Sequence, residues 1–217
     1  MRRFLLAACV LGLAIVVWMV WQPSLSANSR VEGEKVVVYV GGPVTGSVID
    51  YVTGRTSVLK ELAAREPDRV LDAIIVLDRF VSPRDADAMT AQWAVQPREV
   101  YLALPGEDYS GGTLVESSVQ NACQAHLRDF LAMAEEMALR DPENEELQRH
   151  AELARKGGLK VYAVQVRGPV AQLALIAEAD GVLLVDSFYD AKAQNYAARR
   201  GLALTWRVVP LRPDGGP

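Results

Sequence analysis

Two rhythms of apolar and polar positions run along this chain. From Phe4 to Trp21 eighteen residues pass without a charge. Beyond that run, short apolar blocks alternate with segments of helical spacing. Lys35–Val40 predicts a strand. Ser47 to Arg65 predicts a helix, broken near Thr53-Gly54 and ended by Pro67. "LDAIIVLDRFV" (Leu71–Val81) is continuous and rich in branched residues, the pattern of a strand buried on both faces. "SPRDADAMTAQW" follows, with Ser82 as N-cap, Pro83 at the first helical position and Asp85 in the first turn. Another strand is predicted at "REVYLALPG", then a loop "EDYSGGT". A long helix is expected from Leu114 to Arg140, because Val119, Cys123, Leu127, Phe130, Ala134 and Met137 recur at helical spacing. A second helix follows, with Asp141 as cap, Pro142 opening it and Gly157-Gly158 ending it. Residues 114–156 are thus expected to form a helical hairpin.

The second half repeats the rhythm of the first. "VYVGGPV" matches "VQVRGPV", and "DAIIVLDRF" matches "DGVLLVDSF". Each half then runs helix and strand, ending in "EVYLAL" and "LALTWRV". Strands alternating with helices predict an α/β fold with a mainly parallel sheet. It would be built from two weakly repeated strand-helix-strand-helix-strand halves joined by the hairpin. The alternative is α+β: tandem β-α-β-β modules, with the Asp85 and Asp190 helices shrunk to turns. The alternating faces of "EVYLALP" and "LALTWRVVP" suit antiparallel edge strands.

The N-terminal run changes the picture most. Its length roughly matches the ~20 residues of a bilayer-spanning helix. Arg2 and Arg3 precede it, Trp18 and Trp21 sit at its far end, and Pro23 stops it. Basic residues mark the cytoplasmic side and indole rings the interface. The chain is therefore divided into a cytoplasmic end (1–3), a transmembrane anchor or signal peptide (4–21), a linker (22–34), an extracytoplasmic domain (35–211) and a tail (212–217). "SLSAN" offers small residues for cleavage near Ala27, yet the run exceeds the ~7–15 residues usual for a signal peptide. Either way the domain is expected outside the cytoplasm, anchored by one span or secreted. This layout resembles single-pass bacterial envelope proteins, such as the sensor halves of membrane-bound anti-sigma factors and the periplasmic parts of assembly proteins. Three residues before the span cannot hold a sigma-binding domain.

Charge narrows the function classes. Beyond the N-terminal segment there are 21 Lys and Arg against 27 Asp and Glu, a net charge of -6. No nucleic-acid partner is expected from so acidic a domain. Cys9 lies in the apolar run, so Cys123 has no exported partner for an internal disulfide.

Candidate chemistry is sparse. Gly41-x-x-x-x-Gly46-Ser47 has the glycines and hydroxyl of a phosphate loop but no lysine. Its backbone N–H groups, with Gly42 and Thr45, could still face an anion at a helix N-terminus. "GPV" recurs at Gly168, which marks it as a turn, so only Thr45, Gly46 and Ser47 are particular to the loop. Asp78 and Asp186 end equivalent strands and could work as an acid/base pair or cap the following turns. Asp108, in the Tyr-bearing loop, completes the ligand-binding candidates: Gly41, Gly42, Thr45, Gly46, Ser47, Asp78 and Asp108. Cys123 and His126, three apart, lack the third group of a nucleophilic site. A structural metal site on these two would need two more ligands, and His150 is the only other histidine. No catalytic residue, metal or cofactor is indicated. The expected function is protein or ligand interaction by a membrane-anchored extracytoplasmic domain. Its partners are the membrane, through 4–21, and an envelope protein, through the hairpin 114–156. The alternative is an exported α/β enzyme or a small-ligand or anion-binding protein using the strand-end loops.

Overall fold

The structure is a computed structural model that describes residues 25–43 and 45–215. The expected span 4–21 lies outside the described residues. No helix among the described residues is long and apolar enough to cross a membrane. The chain divides into two compact units. One holds residues up to Val38 together with Asp190–Thr205; the other holds Tyr39–Tyr189 and the chain from Trp206 onward.

β1 (Ser29–Glu32), in the first unit, pairs antiparallel with β2 (Lys35–Val40), which belongs to that unit as far as Val38. The stretch expected as linker is thus partly a hairpin strand, because Gly33 and Glu34 leave just enough chain for a tight turn. β8 (Ala203–Val208) completes a three-stranded sheet in the order β1-β2-β8. The helix Ala191–Arg200 precedes β8. Asp190 caps it, accepting from the Ala193 N–H, and Gly201 closes it in the left-handed region.

The second unit is built on a five-stranded sheet. Its strands are β3 (Val70–Val81), β4 (Gln96–Ala103), β5 (Ser110–Leu114), β6 (Lys160–Pro169) and β7 (Val182–Ser187). Their order is β5-β4-β6-β3-β7, and every neighbouring pair is antiparallel. The helices are α1 (Val48–Arg65), α2 (Pro83–Gln92), α3 (Val119–Arg140), α4 (Glu145–Arg155) and α5 (Val170–Ile176). The helix after Asp190 is α6.

This arrangement corrects the expected mainly parallel sheet. β3 and β4 do run the same way, each being antiparallel to β6. β6 and β7 also share a direction, each being antiparallel to β3. A helical crossover fixes strand direction but does not oblige the two strands to be neighbours. β3-α2-β4 leaves a gap that β6 fills, and β6-α5-β7 leaves one that β3 fills. The result is the split β-α-β order. The tandem alternative differs too: the two β-α-β connections interleave within one sheet, and α2 and α6 are full ten-residue helices.

β3 is buried on both faces, as its run predicts, and each face meets a separate cluster. Ala73, Ile75 and Leu77 pack with Leu59, Leu62, Trp93, Phe130 and Leu173 beneath the helices. Ile74 and Val76 pack on the other face with Val40, Leu184 and Tyr162, closed over by Trp206, Val208 and Leu211. Fully burying a Val, Leu, Ile or Phe side chain here contributes about 1.5–3 kcal/mol.

Local departures have local causes. α1 runs unbroken through Gly54, which is exposed and meets no neighbouring atoms. A glycine there costs only about 1 kcal/mol against alanine. The expected helix start at Leu114 is instead the end of β5. Ser110–Leu114 pairs with β4, and α3 begins at Val119 under the Ser118 cap. Asp141 terminates α3, while Asn144 caps α4 by accepting from the Leu147 N–H.

Candidate functional site

The glycine loop after β2 is held from within. The Gly41 N–H donates to Asp186 Oδ2 at 2.8 Å. The Tyr51 hydroxyl donates to the same oxygen, and Arg55 Nε donates to Oδ1. Arg55 Nη2 also donates to the carbonyls of Ser187 (2.6 Å) and Tyr189 (3.2 Å). Asp186 is fully buried, so its charge is sustained by these donors. Burial, then the neighbouring Asp186 charge, raises the Tyr51 phenol above its ordinary range. The amide that would face an anion in the phosphate-loop reading is thus spent on an internal carboxylate.

The close backbone approach that the glycines allow is also internal. A Cβ on Gly41 would lie 2.9 Å from Pro210 Cα, and one on Gly42 would lie 3.0 Å from the Val209 carbonyl oxygen. Val209 and Leu211 N–H groups donate to the carbonyls of Val40 and Gly41. Thr45 and Gly46 are exposed, and Ser47 caps α1, its Oγ accepting from the Asp50 N–H at 3.4 Å.

The two strand-end aspartates do not meet. β3 and β7 are antiparallel, with Asp186 opposite Ile74. Asp78 lies four residues further along β3, roughly 13 Å at 3.3 Å per residue. Its side chain is exposed, 3.5 Å from Arg79 Nη1, and its N–H donates to the Gly181 carbonyl. Asp108 is exposed in the β4–β5 turn. The structure therefore joins Gly41 to Asp186 but does not gather Thr45, Ser47, Asp78 and Asp108 into one pocket.

A different cluster forms where the β4–β5 hairpin meets the helical hairpin. Tyr109 Oη lies 2.9 Å from His126 Nε2, and its ring centroid lies 6.0 Å from that of His150. Both histidines of the chain therefore flank one tyrosine. His150 is buried, with Nε2 3.3 Å from Glu107 Oε2 but outside hydrogen-bonding geometry. Glu107 also meets Arg149 at 2.6 Å, and its carbonyl accepts from Arg212 Nη2 at 3.0 Å. Burial lowers the His126 pKa, against the opposing pull of Asp129, and raises that of Tyr109. His126 is thereby favoured as the neutral imidazole. The sequence holds the loop "EDYSGGT" but no sign that distant His126 and His150 would converge on it.

Two cavities open beside α3. One, about 250 Å³, is lined by Arg84, Gln120, Cys123, Leu127 and Leu159 among others. Burial, then the Asp87 charge, pushes the Cys123 thiol up to about 12, so it is not poised as a nucleophile. The other is a groove of about 560 Å³ between β5 and the start of α3. None of the candidate ligand residues lines either one. Among the described residues, no group of three or more His, Cys, Asp or Glu is placed to hold a metal ion.

Comparison with protein-family models, with curated proteins and with solved structures finds no match to this chain.

Proposed function

We propose that this chain is a membrane-anchored extracytoplasmic domain that acts by binding a partner protein through its α3–α4 hairpin. The observation that supports this most is at the end of α3. Phe130 and Ala134 are buried on the apolar stripe, but its last turns leave Met133 45% and Met137 42% exposed. Leu139 beside them is 87% exposed. Flexible methionines suit an adaptable apolar contact. The exported, anchored setting rests on Arg2, Arg3 and the uncharged run 4–21. The small-ligand reading of the strand-end loops has less support, because Gly41 and Gly42 are engaged within the fold.

The test is site-specific photo-crosslinking from position 136 of the full-length chain in its native membrane. The triple substitution Met133→Ser, Met137→Ser, Leu139→Ser is expected to remove a discrete crosslinked species while leaving the melting temperature within a few degrees. An unchanged crosslink pattern in a folded triple variant overturns the proposal. So does a crosslinked species that forms only with lipid.

A further inference from the structure

β5 is an edge strand without the usual protection. Its sequence, "SGGTL", has no charged residue and no proline, the devices that commonly keep sheet edges from pairing. It closes one end of the five-stranded sheet. The Leu104 N–H donates to the Tyr109 carbonyl and the Val115 N–H to the Arg98 carbonyl, which sets the phase of the ladder. With the register Leu102↔Gly111 and Val100↔Thr113, odd-numbered residues turn their backbone toward β4. The backbone groups of Ser110, Gly112 and Leu114 therefore point outward.

Alongside that edge runs the 560 Å³ groove, with Thr113 and Leu114 on one wall and Asn121, Ala122 and Ala125 of α3 on the other. Volumes of this size are typical of binding clefts. α3 runs back along β5, since Tyr109 meets His126 while Leu114 leads into the α3 start. The groove consequently has charged ends: Glu116 where β5 finishes and Arg128 where β5 begins. Neither is ion-paired with another described residue.

We infer that this groove takes an extended peptide of a partner protein as a sixth strand, antiparallel to β5, with a carboxylate at the peptide's C-terminal end on Arg128. Direction follows from charge. A strand antiparallel to β5 enters at Glu116 and leaves at Arg128, so its own N-to-C polarity matches the groove. Backbone pairing with Ser110, Gly112 and Leu114 holds it, and alternate side chains face the small Ala122 and Ala125. This extends the partner-protein reading to a second surface, separate from Met133 and Met137, so either can fail alone.

The test uses the full-length chain in lipid nanodiscs and two libraries of decapeptides with random interiors. One library ends in a free carboxylate; the other is amidated and carries a fixed Glu near its end. Selected peptides are measured by fluorescence anisotropy. Binding from the first library alone assigns the carboxylate to a chain terminus, and binding from both assigns it to either source. In each case Arg128→Glu is expected to weaken binding at least tenfold. N-methylation of the peptide at alternate amides is expected to abolish it, a control that leaves the protein's folding untouched. The inference is overturned if neither library yields binders, or if binders ignore both Arg128→Glu and N-methylation. It is also overturned if the Gly112 and Leu114 amides gain exchange protection with protein concentration alone, which would mean that the edge pairs with a second copy of this chain.

Discussion

Asp186 Oδ2 accepts a hydrogen bond from the Gly41 amide at 2.8 Å, joining the end of β7 to the loop after β2 across 145 positions of chain. Tyr51 and Arg55, one turn apart on α1, close on the same carboxylate. Removing it takes from the Arg55 guanidinium the carboxylate that its Nε meets. Asp186→Ala is expected to cost about 3–5 kcal/mol, the range for breaking a buried ion pair from one side. Urea unfolding of the variant checks this, and a loss below about 1 kcal/mol would show that the network is incidental to the fold.

Two glycines of the same loop should separate conformational strain from crowding. Both lie at positive φ, Gly41 at +94° and Gly46 at +96°. A side chain there costs roughly 1–2 kcal/mol from backbone sterics alone. A Cβ on Gly46 meets open space, whereas one on Gly41 meets Pro210 backbone at 2.9 Å. Gly41→Ala is therefore expected to destabilise clearly more than Gly46→Ala. Equal melting temperatures for the two variants would contradict the packing of the C-terminal segment on this loop.

The fold should be sensitive to alkali. Burial holds Tyr51, Tyr101, Tyr109 and Tyr162 protonated beyond their ordinary range, and Cys123 likewise. Each is neutral when protonated, so as pH rises the unfolded chain releases its protons first and stability falls. The contribution of Cys123 is complete below about 9 and is lost between there and about 12. That of the tyrosines is lost above about 10. Phenolate absorbance and circular dichroism, followed together through an alkaline titration, are expected to move in one step for these four tyrosines. Their ionisation with the dichroism unchanged would be the contrary result. At pH 8, Cys123 in a Cys9→Ser background is expected to resist thiol reagents until denaturant is added.

Much of the element order is written locally. Ser82-Pro83 opens α2, Asp190 and Gly201 bound α6, and the branched run of β3 announces burial on both faces. Each depends on residues a few positions apart, which is the range over which spacing and caps carry information. The candidate site was legible only in part. Gly41 and Gly42 carry a phosphate-loop and turn pattern in the sequence, but what approaches them is Val209–Leu211, more than 160 residues away. β5 was hidden because two glycines and a serine carry no strand pattern, and pairing with β4 alone makes it a strand.

Spacing and caps along the chain mark the alternation of strands and helices, and the mainly parallel sheet expected from that alternation is overturned by the antiparallel pairing of every neighbour in the five-stranded sheet. Only the tertiary structure decided who lies beside whom. A crossover can land one place over or two, and here β3-α2-β4 and β6-α5-β7 each land two places over, because β6 or β3 fills the gap with apolar side chains on both faces. That choice made the sheet antiparallel, set Asp78 and Asp186 at opposite ends of the β3–β7 ladder, and left β5 at the open edge.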